Sequence, residues 1–154
     1  METKADASQQ MPRRDELPLD RGQVIDLLQA HGILPTQQRV EIAQVLFARP
    51  QHLSADQVLA AVNRERHLVS KATVYNTLGL FARKGLVREV IVDPSRVFYD
   101  PNTEDHYHFY NVDTGTLEDL DPAELALGAL PPPPPGTVTE GVDVVIRVRK
   151  AEGT

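Results

Sequence analysis

Apolar residues recur at intervals of three and four in four segments between residues 20 and 85, which predicts four amphipathic helices. The first helix begins after Asp20 and ends at Gly32, because glycine commonly follows the last turn of a helix. The second begins after Thr36 and ends before Pro50, since proline disfavours helical geometry in the residue before it.

The third and fourth helices have clear start signals. Ser54 and Gln57 have the spacing of a capping box, which predicts a helix over residues 54–63. Ser70 is the expected N-cap of the fourth helix, which runs to about Lys84 and is closed by a glycine.

The period then changes from helical to strand-like. Residues 86–92 and 96–100 read as two strands joined by a turn over 93–95. Within this series, the order helix, helix, turn, helix and then a β-hairpin predicts a winged helix-turn-helix domain over residues 19–100. Residues 1–18 are polar and carry two prolines, so we expect a disordered tail before it.

The second half predicts a small α/β domain over about 105–150, after a hinge near 98–104, and the whole chain is therefore expected to be α+β. Its predicted elements are strands over 106–112 and 116–120, a short helix over 122–127, a five-proline spacer over 131–135 and a strand over 142–148. Few of its residues are large and apolar, so we expect it to be stabilised by dimerisation with a second copy.

The composition limits the chemistry of any metal site. The chain has no cysteine, which excludes disulfides, thiolate zinc sites and thiolate-ligated haem. A metal must therefore be bound by His, Asp, Glu, Asn or Gln, a set that suits Mn(II), Fe(II) or Zn(II). No apolar run approaches the roughly 20 residues of a membrane span, and the start of the chain is polar, so we expect a cytoplasmic protein.

Charge is distributed unevenly along the chain. Residues 31–90 hold eight basic against four acidic side chains, a net charge of +4, whereas residues 91–154 hold four against twelve, a net charge of −8. A basic first half is typical of a surface that faces nucleic-acid phosphates. Chance clustering on solvated faces is the alternative explanation.

The fourth predicted helix is the candidate DNA-reading element. Val74, Leu78 and Phe81 share its inward face, which leaves Ala72, Asn76, Gly79 and Arg83 on the opposite face with Thr73 and Tyr75 at the borders. Small or flat side chains there can contact thymine methyls, and Asn76 can pair with adenine. The candidate DNA-binding residues are Gln37, Arg39, Ser70, Lys71, Ala72, Thr73, Tyr75, Asn76 and Arg83. An ordinary amphipathic helix is the alternative.

An H-x-H pattern suggests the metal site. His106 and His108 fall on one face of a predicted strand, about 7 Å apart along it, and can share one ion. Asp100, Asp119 and His52 complete a set of three imidazoles and two carboxylates. A lone H-x-H pattern is more commonly explained by two surface histidines. His31 and His67 are interpreted as surface or capping residues.

Four motifs together resemble the ferric uptake regulator family over about residues 22–120. They are HLSAD at 52–56, VSKATVYNTL at 69–78, FYD at 98–100 and H-x-H at 106–108. The resemblance implies a homodimer whose subunits join a winged-helix domain to an α/β dimerisation domain. It also implies a regulatory metal, one per subunit, that closes the dimer onto DNA.

Residue by residue, the resemblance assigns to the regulatory metal site His52, Asp100, His106, His108 and Asp119. This set resembles especially the site of the family's peroxide-sensing branch. Tyr75 takes the place of a thymine-contacting tyrosine, and Asn76 stands where many members have arginine. The implied partner is a palindromic, AT-rich operator in double-stranded DNA. The implied function is a repressor of iron, metal or peroxide-stress genes, not an enzyme.

Two departures from the family pattern bear on the signal that is sensed. Asn111 and Thr114 occupy the first two positions of the family's structural cysteine–zinc site, so no such site is expected. The cysteine-free chain, its proline-rich segment and its ending resemble the iron response regulator branch, which senses haem. Tyr107 is then a candidate haem ligand, since tyrosine can ligate ferric haem. Two hypotheses from outside the family are a His/carboxylate metalloenzyme and a plain interaction module.

Overall fold

The computed structural model describes residues 11–67, 69–103 and 107–153 of the 154-residue chain. The chain divides into two compact units, residues 1–103 and residues 104–154. Each unit has its own sheet. Among the residues described, no helix combines the length and the apolar character needed to cross a bilayer.

Four helices form most of the first unit, and each begins at a side-chain cap. They are α1 (Arg21–Ala30), α2 (Gln37–Leu46), α3 (Ala55–Val62) and α4 (Lys71–Arg83). The caps are Asp20, Thr36, Ser54 and Ser70, each accepting a hydrogen bond from the backbone N–H three residues on. Such caps satisfy amides that have no partner inside the helix. The predicted helix starts are therefore confirmed.

A three-stranded antiparallel sheet completes the first unit. It consists of β1 (Leu53–Ser54), β2 (Arg88–Asp93) and β3 (Arg96–Asp100), in the order β1-β3-β2. β2 and β3 form the predicted hairpin, with β2 starting two residues later than expected. The sequence analysis did not predict β1, which places the segment before α3 at the edge of the sheet.

The core of the first unit lies between the helices and the sheet. Its fully buried side chains include Val24, Leu28, Val40, Ile42, Leu46, Phe47, Val58, Val74, Leu78, Phe81 and Leu86. After α4 the chain reverses at Gly85, which has φ +75°, a left-handed conformation that glycine adopts without a Cβ clash. That reversal returns Leu86 to the core and leads into β2.

One expectation about this unit needs correction. Residues 11–18 were predicted to belong to a disordered tail, but Arg14–Glu16 form a 3-10 turn and Met11 and Leu17 pack against the core. Residues 1–10 lie outside the described residues. His31, interpreted as a surface or capping residue, is the C-cap of α1, and it is buried with its Nδ1 2.9 Å from the Leu27 carbonyl oxygen.

The second unit contains a three-stranded mixed sheet. It consists of β4 (Tyr107–Asn111), β5 (Thr116–Leu120) and β6 (Val144–Val148), in the order β5-β4-β6. β4 and β5 are the predicted antiparallel hairpin, whereas β4 and β6 run parallel. The predicted helix over 122–127 is wrong, because only Pro122–Glu124 form a helical turn, of the 3-10 type.

Candidate functional site

The first pair of candidate metal ligands, His52 and Asp100, lies in the first unit, where β1 pairs with β3. Leu53 pairs with Tyr99 and Ser54 with Phe98, so one further step along this antiparallel register brings His52 opposite Asp100. The Nε2 atom of His52 is 3.0 Å from Oδ2 of Asp100. An unpredicted two-residue strand therefore joins two residues that the sequence analysis had selected separately.

Asp100 is held in a defined orientation. Its Oδ1 accepts a hydrogen bond from the backbone N–H of Asn102 at 2.9 Å, which leaves Oδ2 to face His52. Asp100 is only 4 % exposed. A buried carboxylate is costly unless a cation or several donors compensate it, so this position is suited to binding positive charge.

The second pair of candidate metal ligands, His108 and Asp119, lies in the second unit. His108 on β4 and Asp119 on β5 are directly opposite each other in the antiparallel register, and His108 Nε2 is 3.3 Å from Asp119 Oδ1. His108 is 2 % exposed, whereas the side chain of Asp119 is 30 % exposed. His106, the other histidine of the H-x-H pattern, lies outside the described residues.

Both pairs fit a first-row divalent metal. Metal–nitrogen and metal–oxygen bonds of about 2.1 Å at angles of 90–109° place neighbouring ligand atoms roughly 3.0–3.4 Å apart. The separations of 3.0 and 3.3 Å fall within this range. Imidazole nitrogen and carboxylate oxygen are also the donors that Fe(II), Mn(II) and Zn(II) accept. Each pair is therefore arranged as two of the ligands of such an ion.

Tyr107, the candidate haem ligand, precedes His108 on β4. Side chains alternate along a strand, so Tyr107 lies on the face opposite His108, and it is only partly buried. The two residues cannot ligate one iron from the same side of the sheet. No contact of Tyr107 within the described part of the chain favours haem over a divalent cation.

The inward face of α4 matches the prediction, with Val74, Leu78 and Phe81 all buried. Thr77, which the sequence analysis did not assign, is buried as well. Of the predicted DNA-binding residues on α4, Lys71, Ala72, Tyr75, Asn76 and Arg83 are exposed or partly exposed, and so is Thr73. These side chains form a solvent-facing surface, which we call the reading face.

Three other predicted DNA-binding residues lie outside this set. Ser70 caps α4, with its hydroxyl bonded to both the amide and the hydroxyl of Thr73. Arg39 donates from Nη1 to the Leu34 carbonyl oxygen at 3.0 Å. Gln37 is at the start of α2. Ser70 and Arg39 therefore have intramolecular partners before any phosphate is bound.

A carboxylate that the sequence analysis missed lies at the reading face. Asp56, in the first turn of α3, accepts a hydrogen bond from the Tyr75 hydroxyl at Oδ1, 3.2 Å away. The same oxygen is 4.0 Å from Nζ of Lys71, and that Nζ lies 5.7 Å from the centre of the Tyr75 ring. Asp56 is the last residue of the HLSAD motif and lies in the first turn after the Ser54 cap, but neither feature indicated a contact with Tyr75.

Tyr99 lies one residue before Asp100 and is buried. Its pKa is raised above 10.0, first because burial disfavours the phenolate and then because of the nearby Glu89 carboxylate and the Tyr75 hydroxyl.

The turn between α3 and α4 is closed by one side chain. Asn63 donates from Nδ2 to the Val69 carbonyl oxygen at 2.7 Å and accepts from the Val69 amide at 3.0 Å. Val69 is buried immediately before the Ser70 cap. Asn63 therefore fixes the backbone directly before α4, which we call the reading helix.

Comparison with known proteins places these features in one family. The model of the ferric uptake regulator family matches residues 30–127. The peroxide-responsive repressor of Staphylococcus aureus strain Mu50 is 33 % identical over 98 residues, which are 64 % of this chain and 66 % of the repressor. The matched region thus spans just under two thirds of the length of that curated relative.

Solved structures have the same fold. The ferric uptake regulator of Pseudomonas aeruginosa with manganese matches with a TM-score of 0.62 at 27 % identity, over 81 % of this chain and 96 % of that one. The regulator of Vibrio cholerae matches with a TM-score of 0.64 at 18 % identity, over 82 % and 98 %. The predicted α+β fold class and the family resemblance are confirmed.

Proposed function

Because the chain belongs to the ferric uptake regulator family, we propose that it is a metal-responsive repressor that binds DNA as a homodimer. The DNA is a palindromic, AT-rich operator, read by α4 of each subunit in the major groove. The genes under its control belong to metal homeostasis or the peroxide response. The relative from S. aureus, named as a peroxide-responsive repressor, supports this range of signals.

The observation that carries the proposal is the position of the His52–Asp100 pair. β1 lies directly between His52 and α3, and α3 packs against α4, the helix that carries the reading face. A ligand bound at this pair is therefore bound by the DNA-reading unit itself. A metal site without ligands from this unit would not connect metal binding to the DNA-reading helix.

We assign the regulatory site to His52, Asp100, His106, His108 and Asp119, with one Fe, Mn or Zn ion per subunit. Three imidazoles and two carboxylates make a donor set without thiolates, as a cysteine-free chain requires. The relative from P. aeruginosa was solved with manganese, which supports a first-row divalent ion. Haem and enzymatic chemistry are not part of the proposal.

In the proposed mechanism a bound cation would supply a positive charge for imidazole and carboxylate ligands. His52 and Asp100 would hold it from the first unit, and His108 and Asp119 from the second. Binding by all four side chains would restrict the orientation of α4 relative to the dimerisation domain. The two reading helices of the dimer then match half-sites about 34 Å apart on DNA.

Only modest coupling is needed for this switch. A tenfold increase in DNA affinity on metal binding corresponds to about 1.4 kcal/mol. The test uses a duplex selected by the wild-type protein with Mn²⁺ from a random pool. Its affinity is measured by fluorescence anisotropy with Mn²⁺ and after chelation, for the wild type, His52→Ala and His67→Ala.

We expect Mn²⁺ to raise the affinity of the wild type at least about tenfold and to leave His52→Ala unchanged. His67 is an exposed histidine of the same unit and serves as the matched control, so His67→Ala should respond like the wild type. Equal stimulation of His52→Ala and wild type would contradict the metal assignment. Failure of the wild type to enrich any duplex would contradict DNA binding itself.

A further inference from the structure

Asp56 is an acidic residue placed where a DNA-binding surface should exclude negative charge. Its side chain is 71 % exposed, and it contacts Tyr75 and Lys71, two residues of the reading face. A carboxylate at this position weakens the attraction of the face for phosphates. Its presence therefore calls for a compensating role.

Stability of the fold does not supply that role. An exposed ion pair contributes about 0–1 kcal/mol, and the separation of 4.0 Å between Asp56 Oδ1 and Lys71 Nζ is long for one. Asp56 does sit in the first turn of α3, where an acidic residue is favourable. Asp56→Asn retains the shape of the side chain and its acceptor oxygen. It therefore separates the contribution of the charge to α3 from that of the hydrogen bond to Tyr75.

The contact with Tyr75 has a more specific consequence. Tyr75 is 44 % exposed, so packing covers only part of its surface. The hydrogen bond from its hydroxyl to Asp56 holds the ring at one orientation. Lys71 Nζ lies over this ring, 5.7 Å from its centre. A ring held in place before binding loses less conformational entropy on contact with a base.

We propose that Asp56 is a positioning residue for Tyr75 that increases sequence discrimination at the expense of overall DNA affinity. It does so by fixing the tyrosine ring for base contact, while its negative charge weakens the attraction of the reading face for phosphates at every sequence. The inference rests on the proposed DNA-binding function. It adds to that function a residue outside the reading helix that sets specificity.

Asp56→Asn and Asp56→Ala distinguish the two effects. Both variants remove the charge, so both should bind a scrambled duplex about threefold more tightly, with a log–log salt slope steeper by about one. Asp56→Asn retains an acceptor for the Tyr75 hydroxyl and should keep the ratio of specific to non-specific affinity. Asp56→Ala should lower that ratio about fivefold, the size of one lost hydrogen bond.

Tyr75→Phe closes a double-mutant cycle. Alone it should lower the specificity ratio about as much as Asp56→Ala, and in the Asp56→Ala background it should lower it no further. Glu65→Ala, which removes an exposed acidic residue between α3 and α4, is the control for charge and should leave the ratio unchanged. Equal melting temperatures of the Asn and Ala variants would show that α3 is intact.

The measurements use the full-length protein with Mn²⁺, the duplex that the wild type selects from a random pool, and a scrambled duplex of the same composition. An unchanged ratio in Asp56→Ala, or additive effects of Asp56→Ala and Tyr75→Phe, would overturn the role of Asp56 while leaving DNA binding intact. A wild-type ratio of one would overturn the proposed function, and with it this inference.

Discussion

The two units of the chain are stabilised by very different amounts of buried surface. Beneath its capped helices the first unit has a continuous apolar core, whereas the buried apolar side chains in the described part of the second unit are Tyr110 and Leu120. Val112, Leu127, Leu130 and Val138 of the second unit are exposed. A small domain with so thin a core needs another stabilising element. The comparison indicates a first unit with an apolar core of its own and a second unit whose thin core agrees with the dimer proposed above.

The largest effect should come from matched truncations in the two cores. Leu78 is fully buried on α4 and Leu120 nearly so on β5. Leu78→Ala should lower the free energy of unfolding by about 2–5 kcal/mol, because it leaves a cavity in a close-packed core. Leu120→Ala should cost about 1–2 kcal/mol. If the proposed dimer stabilises the second unit, the effect should also depend on protein concentration.

Urea titrations followed by circular dichroism at two protein concentrations would measure both losses. Equal losses that do not vary with concentration would contradict the distinction between the units.

An intermediate effect is expected where a single asparagine organises a loop. Asn63 makes two hydrogen bonds to the backbone of Val69 in the first unit, and Asn111 accepts from the amides of Asp113 and Thr114 in the second. Asn63→Ala should cost about 1–3 kcal/mol and weaken DNA binding, because Val69 directly precedes the reading helix. Asn111→Ala should reduce stability without changing DNA affinity. Thermal unfolding and anisotropy would check this, and a DNA defect in Asn111→Ala would argue against it.

The smallest effect concerns helix caps. Ser54 caps α3 through the amide of Gln57, and Asp121 caps the 3-10 turn through the amide of Ala123. Ser54→Ala should cost about 1 kcal/mol and also reduce Mn²⁺ affinity, because Ser54 belongs to the strand next to His52. Asp121→Ala should cost only a few tenths of a kcal/mol.

Isothermal titration with Mn²⁺ and thermal melts would measure both variants. Ser54→Thr is the control, since threonine also caps helices, and it should restore both stability and metal affinity. Loss of Mn²⁺ affinity in Asp121→Ala but not in Ser54→Ala would reverse the expected order.

Features that depend on residues close in sequence were predicted correctly. The capping box of Ser54 with Gln57 and the cap at Ser70 involve partners three residues apart. Their signals are therefore contained in a short segment. The inward face of α4 was also evident, because the helical period alone determines which side chains share a face.

Features that depend on distant pairing were not predicted. β1 is two residues long, too short to have a period, and its partner β3 lies more than forty residues later. The position of His52 beside Asp100 follows from that pairing, so the residues alone suggested both donors without showing how they meet. The parallel pairing of β4 with β6 is likewise a long-range choice.

The helix predicted over 122–127 shows how a correct local signal can mislead. Asp121 is a real cap and Pro122 does open a helical turn. A helix of this length requires tertiary packing, because the first turn is costly to form. Leu127 is 42 % exposed, so among the described residues it packs too little to extend the turn.

The register of β1 also limits how this sequence can change in length over evolution. Residues 48–50 are exposed between α2 and Gln51, so insertions and deletions there should be tolerated. One extra residue between His52 and Leu53 would turn the imidazole to the other side of the ladder, away from Asp100. Homologous sequences that retain the donor pair should therefore carry their alignment gaps before His52 and none between it and α3.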